Sequence, residues 1–172
     1  TSRNGQLKSD GKSVSGYQFV DRKTKVYLYA ETDKAPQQCG VLGDNTVKYG
    51  ETSVEGKDAA LVLSYGNDVK KLGVRYGISF ISEDQAKKNL EREIAAYDVV
   101  AKIARNDWND ALGKIQTQGG TNDDKTVFYT SLYRCYERPV NLSEDGRYYS
   151  AFDGQIHEDG GRPFYTDDWI WD

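Results

Sequence analysis

The sequence predicts an α+β protein, with an antiparallel, sandwich-type β-rich first part and helices after it. Three observations carry this expectation. Before Ser82 the apolar residues recur at the strand period of two, and at "SEDQ" (82–85) the period changes to that of a helix. Short turn clusters, "SDGK", "LGDN" and "YGND", separate the strand candidates without any helical pattern between them.

Within the first part, "KTKVYLYAET" sets Val26, Leu28 and Ala30 against Tyr27 and Tyr29. "DAALVLSYG" is a short buried run around Leu61, Val62 and Leu63, and "VRYGISFIS" puts Val74, Tyr76, Ile78 and Phe80 on one face. At Ser82 a capping box is expected: Ser82 caps the exposed amides, Gln85 reaches back, and Glu83 and Asp84 complement the positive end of the helix. Ala86, Leu90, Ile94, Tyr97, Ala101, Ala104, Trp108, Leu112 and Ile115 then follow at steps of three or four. This stripe is a packing surface, either on one long helix or on two with Asp98 capping the second, and Trp108 is expected to be buried against it. "QGGTNDDK" interrupts the pattern. "KTVFYTSLYRCYERP" resumes it, with Val127, Leu132 and Cys135 among its members, and Pro139 is expected to stop it. Beyond lies "VNLSEDGRYYSAFDGQIHEDGGRPFYTDDWIWD", rich in turn glycines and carboxylates. A long irregular segment of this kind in a compact protein is usually functional.

Composition narrows the function. The 172 residues are 29% charged and 37% hydrophobic, and 13 of the 21 aromatic rings are tyrosines, which suit strands and half-polar surfaces. A net charge of -4 and a pI near 5.1 exclude nucleic acid as the expected partner, since phosphate binding needs clustered basic surface. No apolar run approaches the roughly 20 residues of a membrane span. The chain contains no methionine and is expected to begin after a cleavage or a missing segment. Its aromatic end, "FYTDDWIWD", suits a chain that continues better than a frayed terminus. Cys39 and Cys135 have neither CxxC nor zinc spacing and are expected to be buried free thiols.

Few motifs carry chemistry. Asn141, Ser143, Asp145 and Gly146 fall at the first positions of a calcium-hand loop, but Phe152 stands where the bidentate Glu belongs, so Asp145-Gly146 reads as a turn. His157 lies beside Glu158 and Asp159, and neighbours in an extended segment face opposite ways, which makes a shared metal site poor. It reads instead as a loop histidine that hydrogen-bonds a ligand or the backbone. Nucleophile, phosphate-loop and dinucleotide signatures are missing. Carboxylates set among aromatic rings remain. That mixture suits a carbohydrate site, where rings stack on the sugar's C–H face and polar groups bind its hydroxyls, and it equally suits an aromatic core with capped turns.

The order "ISFIS", "A..NL..E", "W(N)..L", "FYTSLYR", "DGRYYSAFDG" and the closing Trp171-Asp172 resembles glycoside hydrolase family 92, the bacterial exo-acting α-mannosidases, well over residues 74–172 and loosely before them. The resemblance implies an internal fragment. Residues 1–81 would be the β-rich part of an N-terminal sandwich, 82–117 linker helices, and 118–172 the first helix and loop of an (α/α)6 catalytic barrel. It also implies calcium-dependent hydrolysis of terminal mannose with inversion, with the α-1,2 type the expected linkage. The catalytic acid, the base and the calcium ligands are expected downstream of Asp172, in the remainder of the polypeptide. What carries over is Asp172 as a ligand of mannose hydroxyls and Trp171 at the pocket wall. Asp167, Asp168 and Trp169 stand where most members have an apolar run, and they are expected to tune linkage preference. A mannose-containing glycan is the implied partner and an extracytoplasmic location the implied setting. The alternative is a carbohydrate-binding β-module, or an interaction domain without catalysis.

Overall fold

The computed structural model describes residues 4–43, 45–94 and 96–167, apart from the side chains of Tyr97 and Asp98. Its first part is all strand: β1 (Asn4–Ser9), β2 (Ser13–Phe19), β3 (Lys25–Thr32), β4 (Gln38–Gly43), β5 (Thr46–Tyr49), β6 (Ser53–Lys57), β7 (Leu61–Ser64) and β8 (Val74–Ser79). They form an antiparallel sheet in the order β6-β1-β2-β3-β8 and a smaller antiparallel sheet in the order β5-β4-β7. Helix α1 (Glu83–Glu93) follows within four residues of β8, then α2 (Tyr97–Leu112) and α3 (Asn122–Arg134). The last part pairs β9 (Val140–Asn141) with β12 (Tyr165–Thr166), and β10 (Arg147–Ser150) with β11 (Gln155–Glu158). The chain is therefore α+β with antiparallel sheets, as expected.

Helix α1 lies against the larger sheet, and one glycine decides on which face. A Cβ built on Gly77 would stand 2.3 Å from the Ala86 carbonyl oxygen and 2.8 Å from the Leu90 amide nitrogen, so the helix backbone rests directly on β8. Ala86 and Leu90 are fully buried there. Tyr29, paired with Gly77 across the ladder, lies under the Lys87 ammonium. Lys8 pairs with Glu83 at one end of the helix (2.9 Å), and Arg75 donates to the Ile94 carbonyl at the other (3.0 Å). Val74, Tyr76 and Ile78 do share a face, as their spacing predicts, but it is the opposite and exposed one. The side with no bulk receives the helix, since only a missing Cβ allows so close an approach.

The helical stripe divides as one of the two expected forms, with corrections. Ser82 caps α1 by accepting from the Gln85 amide (3.0 Å), whereas the Gln85 side chain does not reach back; it is used elsewhere. Ala96, not Asp98, occupies the cap position of α2 and makes no side-chain cap bond. Trp108 is not buried: it stays 37% exposed, with its ring 4.5 Å from Tyr133 and 6.0 Å from Tyr136. Tyr136 and Tyr129 also donate to the Ala111 and Ile115 carbonyls, tying α3 to the end of α2 (3.2 and 3.1 Å). The expected interruption at 118–125 contains a real capping box, Thr121 with Asp124, which starts α3. That helix ends at Arg134, through i→i−3 bonds at Cys135, Tyr136 and Glu137, before Pro139 is reached. Cys39 is half-buried and Cys135 exposed, both as free thiols, so the expectation of burial fails for Cys135.

Replacing Gly77 by Ala should lower the unfolding free energy by about 1–3 kcal/mol, because helix backbone rather than a pliable side chain must give way. In urea unfolding, Gly43→Ala, where a Cβ meets nothing within 4 Å, should change it by less than about 0.5 kcal/mol.

Candidate functional site

The best-connected polar cluster joins α1, the end of β8 and the turn between Glu144 and Arg147. Gln85 and Asn89 sit one helical turn apart, beside the buried Ala86 and Leu90, and are themselves 1% and 8% exposed. Buried carboxamides must find partners for both their donors and their acceptor. Gln85 Nε2 donates to Asn89 Oδ1 (3.1 Å) and Asp145 Oδ2 (2.7 Å), while its Oε1 accepts from Arg147 Nη2 (2.9 Å). Asn89 Nδ2 donates to the Ile78 carbonyl (2.9 Å) and to Glu144 Oε2 (2.7 Å), and its Oδ1 also accepts from Arg92 Nη2 (3.1 Å). Glu144 Oε1 accepts from the Phe80 amide (3.0 Å), and Arg92 forms an ion pair with Asp145.

The turn that meets this cluster is the one that resembled a calcium-hand loop. Glu144 and Arg147 bridge it, and Asp145 and Gly146 have φ of 51° and 82°. Two successive left-handed residues make the tight hairpin turn for which Asp-Gly is suited. Its polar side chains are occupied by protein: Asn141 Oδ1 accepts from the Ser143 amide, and Ser143 Oγ from the Phe164 amide (2.9 and 2.8 Å). Among the described residues, no group of three or more His, Cys, Asp or Glu is placed to hold a metal ion.

Beyond the turn stands an aromatic wall. Tyr148 stacks on Phe164 at 4.0 Å and on His157 at 5.5 Å, and Tyr149 lies parallel to Phe80 at 6.5 Å. A groove of about 600 Å³ runs past Thr24, Phe80, Leu142, Tyr149, Phe152 and Phe164. That volume is within the usual range of small-molecule sites. Phe152, at the hairpin tip, is 97% exposed. His157 pairs through Nε2 with Asp153 (2.9 Å) across the same tip, a side-chain partner rather than the backbone. Asp153 also accepts from the Gln155 amide, and Asp159 from the Gly161 amide.

Asp167 is exposed and pairs with Arg138 at 3.6 Å. Asp168, Trp169, Trp171 and Asp172, the other residues singled out for substrate, lie outside the described residues. Thr166, in the last described strand, lines the groove. The sequence reading missed Gln85, Asn89 and Glu144. Two carboxamides at i and i+4 flanking buried Ala86 and Leu90 were the available signal, since a polar residue inside an apolar stripe needs a partner from elsewhere.

Residues 85–172 match the model of the glycosyl hydrolase family 92 catalytic domain. The fold is similar to that of a family GH92 inverting mannosidase from Bacteroides thetaiotaomicron, with a TM-score of 0.86 and 26% identity over 97% of this chain and 24% of that one. A family GH92 alpha-mannosidase from the same organism has the same fold at a TM-score of 0.84, with 21% identity over 96% of this chain and 24% of that one. A protein of Arthroderma benhamiae described as an uncharacterized secreted glycosidase is 34% identical over 83 residues, which are 45% of this chain and 11% of that protein. The chain thus spans only a minor part of each relative.

The cluster has a pH signature. The Gln85 hydrogen bond first, then the Arg92 charge, hold the Asp145 carboxyl below its ordinary value against a partial desolvation. A carboxyl lowered on folding stabilises above its unfolded pKa, about 3.9, and that stability is lost as pH falls through the folded value. Urea unfolding between pH 6 and 3 should show stability declining below about pH 4, and Asp145→Asn should flatten part of that decline.

Proposed function

The chain belongs to glycosyl hydrolase family 92, and on that premise we propose that the whole protein is an inverting, calcium-dependent exo-α-mannosidase of the α-1,2 type, releasing terminal mannose from glycans. The observation that carries this is the family match over residues 85–172, which takes in both the Gln85–Asn89 cluster and the Trp171-Asp172 pair. In this reading residues 1–81 end an N-terminal β-sandwich, 82–117 are linker helices, and 118–172 begin an (α/α)6 catalytic domain. Supporting it, α1 docks on the sheet, while α2 and α3 pack on each other and leave Ile103 and Val127 exposed, as suits members of a larger helical layer.

The chemistry divides between this chain and the rest of the polypeptide. Inversion needs an acid to protonate the leaving oxygen and a base to activate water on the opposite face, about 6.5–9.5 Å away. Both are assigned to the remainder of the protein. Calcium, when bound, supplies a charge that holds mannose hydroxyls; its ligands are likewise assigned to the remainder of the protein. This chain's part is recognition. Asp172 accepts hydrogen bonds from mannose hydroxyls, Trp171 forms the adjoining wall, and Asp168 and Trp169 select the linkage. An extracytoplasmic setting accords with the relative described as secreted, and no helix of the described residues is long and apolar enough to cross a membrane.

The purified complete protein should hydrolyse an aryl α-mannoside and lose that activity on calcium chelation, whereas the 172-residue chain alone should show none, lacking the acid and the base. Charge-assisted bonds to a sugar contribute about 1.5–3 kcal/mol each. Asp172→Ala should therefore cut kcat/KM by more than about tenfold with little change in Tm. A variant that melts early but keeps normal kinetics would reduce Asp172 to a capping role.

A further inference from the structure

We propose that the groove beside the β10–β11 hairpin binds a further sugar ring of the glycan, with Phe152 as the platform on which that ring stacks. The proposal deepens the glycosidase reading, on which the class of ligand rests.

Phe152 is held out rather than tucked in. Its side chain is 97% exposed, yet the backbone that carries it is fastened on both sides. The Gly154 amide donates to the Ser150 carbonyl (2.9 Å), and Asp153 accepts from the Gln155 amide (3.0 Å) and pairs with His157 Nε2 (2.9 Å). Gly154, at φ 73°, closes the turn in the left-handed region that a side chain would resist. His157 stacks on Tyr148 and Tyr148 on Phe164, so rings as well as the strand ladder tie the hairpin down. A ring this exposed contributes no burial to the fold. A support fixed in advance lowers the ordering cost of a ligand that stacks on it.

The lining of the groove selects the ligand. Tyr149, Phe152 and Phe164 supply aromatic surface, while Thr24, Ser150 and Thr166 carry hydroxyls. Glu137 and Arg138 add one charge of each sign. The Glu137 carboxylate makes no hydrogen bond or ion pair among the described residues, so its acceptors are open to a ligand. A pyranose matches this mixture, with a C–H face for a ring and hydroxyls along its edge for the polar groups. A wholly apolar ligand would leave the hydroxyls and the carboxylate of the lining without partners. A phosphate-rich one would meet Glu137 and a chain of net charge -4. At about 600 Å³ the groove has the volume of a small-molecule site.

The complete protein carrying Phe152→Trp tests this, because the new indole keeps a stacking ring and reports its own cover. Taken as the difference from wild type, its fluorescence should be open to iodide quenching when no sugar is present. Saturating thio-linked α-mannotriose, which resists hydrolysis, should lower its quenching constant by about twofold or more as the ring is covered. By calorimetry, Phe152→Ala should bind the same trisaccharide about fivefold or more weakly, and Phe152→Trp about as tightly as wild type. Tm should be unchanged in both. An indole already shielded without sugar assigns the groove to another part of the polypeptide and overturns the proposal. So does quenching that the trisaccharide leaves unchanged, or an affinity for Phe152→Ala within about twofold of wild type. Should Phe152→Trp not fold, the Phe152→Ala affinity decides alone. A complete protein that shows these binding effects but leaves an aryl α-mannoside intact keeps the groove and sinks the hydrolase reading; hydrolysis of that mannoside without the binding effects sinks the groove alone.

Discussion

Two carboxamides, Gln85 and Asn89, buried on one face of α1, set the condition that the surrounding structure has to meet. Each brings donors and an acceptor out of water, and an unsatisfied buried group costs about 1–3 kcal/mol. No single neighbour can answer them. The Ile78 carbonyl comes from β8, the Asn89–Gln85 bond from the helix itself, and Glu144, Asp145 and Arg147 from a turn about 60 residues along the chain. Docking α1 on the sheet without docking the turn would leave those amides open. The two events are therefore coupled, and a half-assembled network would be less favourable than an apolar contact.

Gly77 makes this coupling possible from beneath. By letting the helix backbone rest on β8, it brings Asn89 within reach of the Ile78 carbonyl and places Glu144 against the Phe80 amide. Arg75 and Lys8 then fasten the two ends of the helix to the sheet. The partly exposed Lys8–Glu83 ion pair adds little by itself, about 0–1 kcal/mol. The orientation comes from the close backbone contact and the buried amides, and the charges trim it.

The carboxylates among aromatic rings, which by composition suit a sugar site, separate on folding into two groups. Asp145, Asp153 and Asp159 are consumed by turns, binding backbone amides or neighbouring side chains. Their role is to shape the hairpin and bring Tyr149, Phe152 and Phe164 to one groove, with Tyr148 stacked on Phe164. Asp167 instead forms an ion pair with Arg138 at 3.6 Å. Turn-building and ion pairing thus draw on the same residue types in one segment, for different physical reasons.

The sequence by itself determined the β-to-α order, the start of α1 at Ser82, the strands at 25–32, 61–64 and 74–79, and the Asp145-Gly146 turn, because periodicity, capping and turn chemistry are local. The motif order also carried the family. It did not determine which face of β8 takes the helix: Val74, Tyr76 and Ile78 look like the inner face, yet α1 chose the side where Gly77 has no Cβ. Nor did it assign Gln85, which by local rules belongs to a capping box. A polar side chain spends its hydrogen bonds where burial is deepest, and that place was created only when the turn at Glu144 closed over α1. Such a partner lies about 60 residues away in sequence and is fixed by assembly alone.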